Sequence, residues 1–130
     1  MAAALLHYGM MNFKSCRAWP EKRLFSALRE HIGEGVGGDY ASKLKMLTDD
    51  DFVILDDLGS SKSTEWRVDI IFDFVDQRFS NGKPTYISTN LSPQEIKEVY
   101  GPRTHSRLFA ARNTILYLPD APDLRQETLD

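Results

Sequence analysis

The clearest hydrophobic pattern in the chain is an unbroken one: Phe52-Val53-Ile54-Leu55 runs directly into Asp56-Asp57-Leu58-Gly59. Apolar side chains on both faces of an extended segment predict a strand covered on both sides, as in the middle of a parallel sheet with helices packed on each face. Around that run the hydrophobic period lengthens. After Pro20, the stripe Leu24, Phe25, Leu28 and Ile32 predicts a helix over Glu21–Ile32, ended by the glycine-rich 33–38. A shorter helix from about Tyr40 to Leu47 turns Leu44 and Leu47 inward, and Thr48–Asp51 then turns the chain into a strand over Phe52–Asp56. Thr64 is a candidate N-cap for a long helix that carries Ile70, Ile71, Phe74, Val75 and Arg78 and stops near Asn81-Gly82.

Further along, Pro84–Thr89 reads as a strand, Ser92-Pro93 caps a helix through Tyr100, Pro102 opens another through about Arg112, and Thr114–Leu118 is a last strand. At the other end, Met1–Tyr8 reads as a helical stub closed by Gly9, with a short candidate strand over Met10–Ser15. This alternation of strands and helices predicts a parallel α/β sheet.

Composition narrows the picture. A chain of 130 residues is one domain's worth of material and rules out a second full domain. With 42% hydrophobic and 27% charged residues it falls among folded globular chains, which excludes disordered, collagen-like and disulfide-scaffold classes. A net charge of -3 excludes a global basic footprint, so any nucleic-acid contact is local or made by an assembly. The early segment is locally basic through Lys14, Arg17, Lys22, Arg23 and Arg29, which reads either as solvated surface or as a track for single-stranded DNA. Cys16 is the single cysteine, so no internal disulfide forms, and its chemistry suits a reducing compartment and a packing role. No apolar run approaches the roughly 20 residues that span a bilayer, and Ala2–Leu6 is short and lacks a basic flank, so a cytoplasmic protein without membrane contact is expected.

Three strings carry candidate chemistry. Asp56 and Asp57 stand where a buried strand ends, the edge at which open α/β sheets bind ligands. There one carboxylate can hold the water shell of Mg²⁺ and the other orient an attacking water, or both can simply cap a turn with Gly59. Asn90 ends the strand Thr85-Tyr86-Ile87-Ser88-Thr89 and can approach the same edge, or serve only the helix cap that follows. Arg103 and Arg107 are four residues apart on one helical face, with no acid beside them in the sequence, which reads as an anion target or as a solvated basic face. His105, between them, is given no role.

In order, Asp-Asp-Leu-Gly after a buried strand, Thr-Glu-Trp-Arg at Thr64–Arg67, Asp-Gln-Arg-Phe at Asp76–Phe79, then Pro-Thr-Tyr-Ile-Ser-Thr-Asn and Ser-Arg-Leu, closely resemble the DnaC/IstB-type AAA+ ATPases, the helicase loaders and transposition helpers of bacteria and phages. The resemblance is strongest from Phe52 to Leu118. It implies a P-loop NTPase core, a three-layer α/β/α arrangement around a parallel sheet, with ATP and Mg²⁺ as cofactors. It makes Asp56 the Walker B magnesium ligand, Asp57 the water-polarising carboxylate and Asn90 the sensor-1 residue. Arg107 matches the arginine finger that acts on the nucleotide of a neighbouring subunit, with Arg103 as a helper, while Arg78 matches a family arginine of open role. The implied partners are a replicative helicase or a transposase, single-stranded DNA, and further copies of the chain in a homo-oligomer.

One departure stands against these matches. No Gly-x-x-x-x-Gly-Lys-Ser/Thr phosphate loop occurs, and Gly33-Glu34-Gly35-Val36-Gly37-Gly38 lacks the lysine and hydroxyl and carries an acid. Met1–Gly9 looks like the end of the helix that follows the P-loop in this family. The expectation is therefore an N-terminally truncated AAA+ core over residues 1–130, an ATPase module that alone binds ATP poorly. The competing reading is a non-catalytic remnant or protein-interaction module. A phosphoacceptor receiver domain is excluded, since no Asp or Glu precedes Glu21 and no Lys follows the last expected strand.

Overall fold

The computed structural model describes residues 2–32 and 40–116. Their elements in chain order are α1 (Ala2–Asn12), β1 (Cys16–Pro20), α2 (Glu21–Ile32), α3 (Tyr40–Thr48), β2 (Phe52–Leu58), α4 (Glu65–Ser80), β3 (Thr85–Thr89) and α5 (Pro93–Leu108). The strands form a parallel sheet in the order β1-β2-β3, with Ala18 opposite Ile54 and Ile54 opposite Tyr86. The unbroken apolar run is thus the central strand, and Phe52, Val53, Ile54 and Leu55 are all buried.

Alternation along β2 divides the core. Val53 and Leu55 join one cluster with Leu24, Phe25 and Leu28 of α2, Leu44 and Leu47 of α3, Ile70, Ile71, Phe74 and Val75 of α4, and Ile96 and Tyr100 of α5. Phe52 and Ile54 face the other way, toward α1 and the turn after it, where Phe52 stacks on Phe13 with ring centroids 5.1 Å apart. Helices on both faces leave no solvated side to the central strand, which is why its sequence shows no polar alternation.

Local signals set the helix ends. Thr64 is extended and accepts the Arg67 N–H, starting α4, and the Asn81 N–H returns to the Gln77 carbonyl at its end, with Gly82 left-handed at φ 62°. Ser92 and Glu95 form a reciprocal capping box at the start of α5, with Pro93 in its first turn. Gly101, at φ 89°, breaks α5 into two helical pieces, so the expected boundary before Pro102 is a kink inside one element.

Several expectations are corrected. Gly9 does not end the first helix: α1 continues to Asn12, whose side-chain amide donates to the Tyr8 carbonyl at 2.8 Å. Gly9 is there for close approach, since a Cβ at that position would lie 2.4 Å from Cys16 Sγ and 2.6 Å from a ring carbon of Phe52. The first strand is accordingly Cys16–Pro20 rather than Met10–Ser15. Thr114–Leu116, expected to begin a strand, is irregular, with Leu116 77% exposed. The glycine-rich 33–38 and the remainder of that expected strand, 117–118, lie outside the described residues.

Arg78 is 2% exposed and closes the N-terminal end of the sheet. Its Nε donates to Thr85 Oγ1 at 2.9 Å, one terminal nitrogen to the carbonyls of Thr48 (2.8 Å) and Asp50, and the other to the Pro84 carbonyl at 2.6 Å. One planar fork therefore ties the end of α3, the turn into β2 and the entry of β3. Burial lowers its pKa to about 10, opposed by Asp50, Asp51 and Asp49, and it remains cationic at neutral pH.

Candidate functional site

Parallel strands end together, and the C-terminal ends of β1, β2 and β3 bring Glu21, Asp56, Asp57, Ser88 and Asn90 to one edge. The pairing of β2 with β3 is regular to Leu55 opposite Ile87 and resumes at Leu58 opposite Thr89, so Asp56 and Asp57 together stand against Ser88 alone. That extra residue is a bulge, and Asp57 takes it up with a left-handed backbone at φ 62°. Asp, like Asn, tolerates this region better than other residues carrying a Cβ.

The bulge re-aims the two carboxylates. Asp56 is half-buried and its Oδ1 accepts the Ser88 hydroxyl proton at 2.5 Å. Asp57 is exposed and lines a cavity of about 280 Å³ with Leu58, Gly59, Ser60, Asn90 and Leu91. Asn90 is exposed at the same opening. Of the residues expected at the site, the structure joins Asp57 and Asn90 in one cavity and sets Asp56 beside them.

Sequence reasoning missed two members of this edge. Ser88 is one; Glu21 is the other, read only as the first residue of a helix. Glu21 is 2% exposed, accepting from Tyr100 Oη at 2.9 Å and, on its other oxygen, from the Ser61 hydroxyl at 3.0 Å and the Ser61 N–H at 3.3 Å. It ties the loop that follows Asp57 to α2 and α5. Gly59 in that loop has φ +87°, and a Cβ there would meet the Leu91 side chain at 2.6 Å. Burial, and then the bond to Glu21, push the Tyr100 pKa well above its ordinary value. The sequence marks Glu21 only as an acid directly after Pro20, and the fold shows what it touches.

Arg103 and Arg107 stand elsewhere. They line a separate cavity of about 250 Å³ with Phe72, Pro102 and Ser106. Arg107 has an acid partner that does not stand beside it in the sequence: α4 supplies Asp76, whose Oδ1 lies 3.1 Å from its Nε. The packing of α5 on α4 brings together residues 31 positions apart, which neighbour inspection cannot reveal. Arg107 also lies over the Phe79 ring at 5.1 Å, and Arg103 over Phe72 at 4.1 Å, so both guanidiniums rest on α4. Within one chain they do not share the cavity of Asp57 and Asn90.

Comparison with known proteins gives this geometry a context. The replicative helicase loader DnaI of Bacillus subtilis (strain 168) is 32% identical over 82 residues, covering 58% of this chain and 26% of DnaI. The replicative helicase loader DnaC of Escherichia coli (strain K12) is 25% identical over 108 residues, covering 83% of this chain and 44% of DnaC. The chain's homologues are replicative helicase loaders of the DnaC and DnaI type. The crystal structure of the DnaC helicase loader matches with a TM-score of 0.69 at 24% identity, over 83% of this chain and 64% of that one, which shows a common α/β fold. No protein-family model matches the chain. The chain spans less than half the length of these loader relatives.

The donor set at this edge fits magnesium. Mg²⁺ is held by one or two carboxylates, with waters and phosphate oxygens completing an octahedron. Asp56 fits that role, because Ser88 fixes one of its oxygens and the carboxylate stands at the open end of the strand. Among the described residues no group of three His, Cys, Asp or Glu side chains forms a cage for a metal. Such a site suits an ion that arrives with oxygen ligands of its own. No described helix is long and apolar enough to cross a membrane.

Proposed function

We propose that the chain carries the carboxylate and sensor side of an ATP-hydrolysing AAA+ site in a cytoplasmic protein related to helicase loaders. The observation that carries this reading is the bulge at the end of β2, which puts Asp57 into one cavity with Asn90 and leaves Asp56 oriented by Ser88. In this reading Asp56 holds the water shell of Mg²⁺, which supplies neutralising charge to the phosphates of ATP. Asp57 accepts a hydrogen bond from the attacking water and orients it, and Asn90 donates its side-chain amide to a phosphate oxygen or to that water. Asp57 thus takes the place of the more usual glutamate of such sites.

Arg107, with Arg103 as helper, acts across an interface on the nucleotide of a neighbouring subunit in a homo-oligomer, where a guanidinium offsets transition-state charge. Their position in a cavity apart from Asp57 supports action in trans rather than in cis. Asp76 and the Phe79 ring keep Arg107 from folding onto other surfaces until such a neighbour docks. The phosphate-cradling loop is supplied from outside these 130 residues. The partner is a replicative helicase, as the names of the relatives suggest, or a transposase, with single-stranded DNA as a further ligand.

Mg-dependent binding of a fluorescent ATP analogue tests the reading. The chain alone is expected to bind weakly. Joined to an upstream segment bearing a P-loop, it binds with Mg²⁺, and Asp56→Ala lowers that binding about tenfold or more. Equal binding by the joined protein and its Asp56→Ala variant would leave the remnant or interaction-module reading in its place.

A further inference from the structure

We propose that Ser88 is the positioning residue of this site, a single hydroxyl that aims both carboxylates at once. The inference rests on the reading of Asp56 as the metal-side carboxylate and Asp57 as the water-side one. A serine hydroxyl has one proton to donate and two lone pairs to accept with. Ser88 donates to Asp56 Oδ1 at 2.5 Å and accepts the Asp57 backbone N–H at 2.8 Å. The first bond selects one orientation of the Asp56 carboxylate and leaves its other oxygen for a ligand. The second satisfies the amide of a residue held left-handed at φ 62° where the register of β2 and β3 shifts.

Without that acceptor the Asp57 amide loses its bond to Ser88, and the bulge is free to relax toward regular pairing. Because side chains alternate along β2, such a slip turns the Asp57 side chain away from the cavity it shares with Asn90. Thr89 holds the next point, its hydroxyl donating to the Leu58 carbonyl at 2.7 Å, so β3 grips the bulge from both sides. Asn90 follows directly on the same strand end. A group that engages Asn90 therefore bears on the hydroxyl that orients Asp56 and Asp57.

The test uses the 130-residue chain and two NMR readings: hydrogen exchange of the Asp57 amide, and broadening of the Asp56 and Asp57 signals by Mn²⁺. In Ser88→Ala, Asp57 exchange is expected to quicken about tenfold while Val53, Ile54 and Leu55 keep their protection. The Mn²⁺ needed for half-broadening rises roughly tenfold, and Ser88→Thr, which restores a hydroxyl, stays within about twofold of wild type on both readings. Unchanged Asp57 exchange in Ser88→Ala overturns the proposal. So does faster exchange spread through Val53–Leu55 with Mn²⁺ broadening unaltered, the signature of a residue that only adds stability. If Mn²⁺ broadens Asp56 in no variant, the metal reading of the site falls, and the Asp57 exchange still decides whether Ser88 holds the bulge. Should Ser88→Ala fail to fold, Ser88→Cys, similar in size but a weak donor, decides by the same readings.

Discussion

At the N-terminal end of the sheet, Arg78 is buried with its donors directed to Thr48, Asp50, Pro84 and Thr85. At the C-terminal end, Asp57 is exposed, left-handed, and attached to the protein through its backbone amide to Ser88. The same three strands run between the two ends, so the difference lies in what the polar groups do. At one end they complete each other, and substitution of the buried guanidinium leaves three carbonyls without their donor. At the other they are held in orientations whose free sides face a cavity, the arrangement expected where stability has been given up for binding.

The largest expected effect is at the closed end. Arg78→Ala removes a buried guanidinium that donates to the carbonyls of Thr48, Asp50 and Pro84 and opens a cavity among α3, β2 and β3, a loss of about 3–5 kcal/mol in denaturant unfolding. Arg78→Lys recovers little, because an ammonium cannot reproduce the planar fork. A loss below about 1 kcal/mol would mean that water replaces the guanidinium easily and that the two ends are alike.

Glu21 is the intermediate case, since it lies at the open end yet is as buried as Arg78. Glu21→Ala strands the Tyr100 hydroxyl and releases Ser61, at a cost of about 2–3 kcal/mol by the same measurement. Its partner gives the pH dependence. Burial first, and then the bond to Glu21, raise the folded pKa of Tyr100; burial and Asp73 do the same for Tyr40. A group raised on folding contributes stability below its unfolded pKa, near 10 for tyrosine, and loses it as pH climbs past that value. Stability is therefore expected to fall above about pH 10, and Tyr100→Phe to flatten that fall. Spectrophotometric titration of the folded chain is expected to show Tyr40 and Tyr100 ionising late.

How much of this was legible beforehand follows the same division. The central strand, α2, α3 and α4 with its caps were readable because burial on both faces, a stripe of apolar residues and a Thr or Asn-Gly end each leave a local mark. Asp56, Asp57 and Asn90 were readable as residues at strand ends. What they touch was not, because Ser88 meets Asp56 only through register, and Asp76 meets Arg107 only through the packing of α4 on α5. Gly9 misled for a related reason. Its lack of a side chain serves an approach to Cys16 and Phe52, far along the chain, and the same residue type marks helix ends.

The smallest expected effect makes the sharpest comparison. Asp57→Asn keeps a side chain that tolerates the left-handed region and keeps the backbone N–H bonded to Ser88, while removing a charge beside the Asp56 carboxylate. Stability should stay within about 0.5 kcal/mol of wild type, or rise slightly, since like charges on adjacent residues no longer repel. The neutral amide can no longer act as a water-polarising carboxylate, so the same substitution removes the chemistry proposed for this end. A loss above about 1 kcal/mol would show that the Asp57 carboxylate itself holds the bulge, and that the open end of the sheet is built like the closed one.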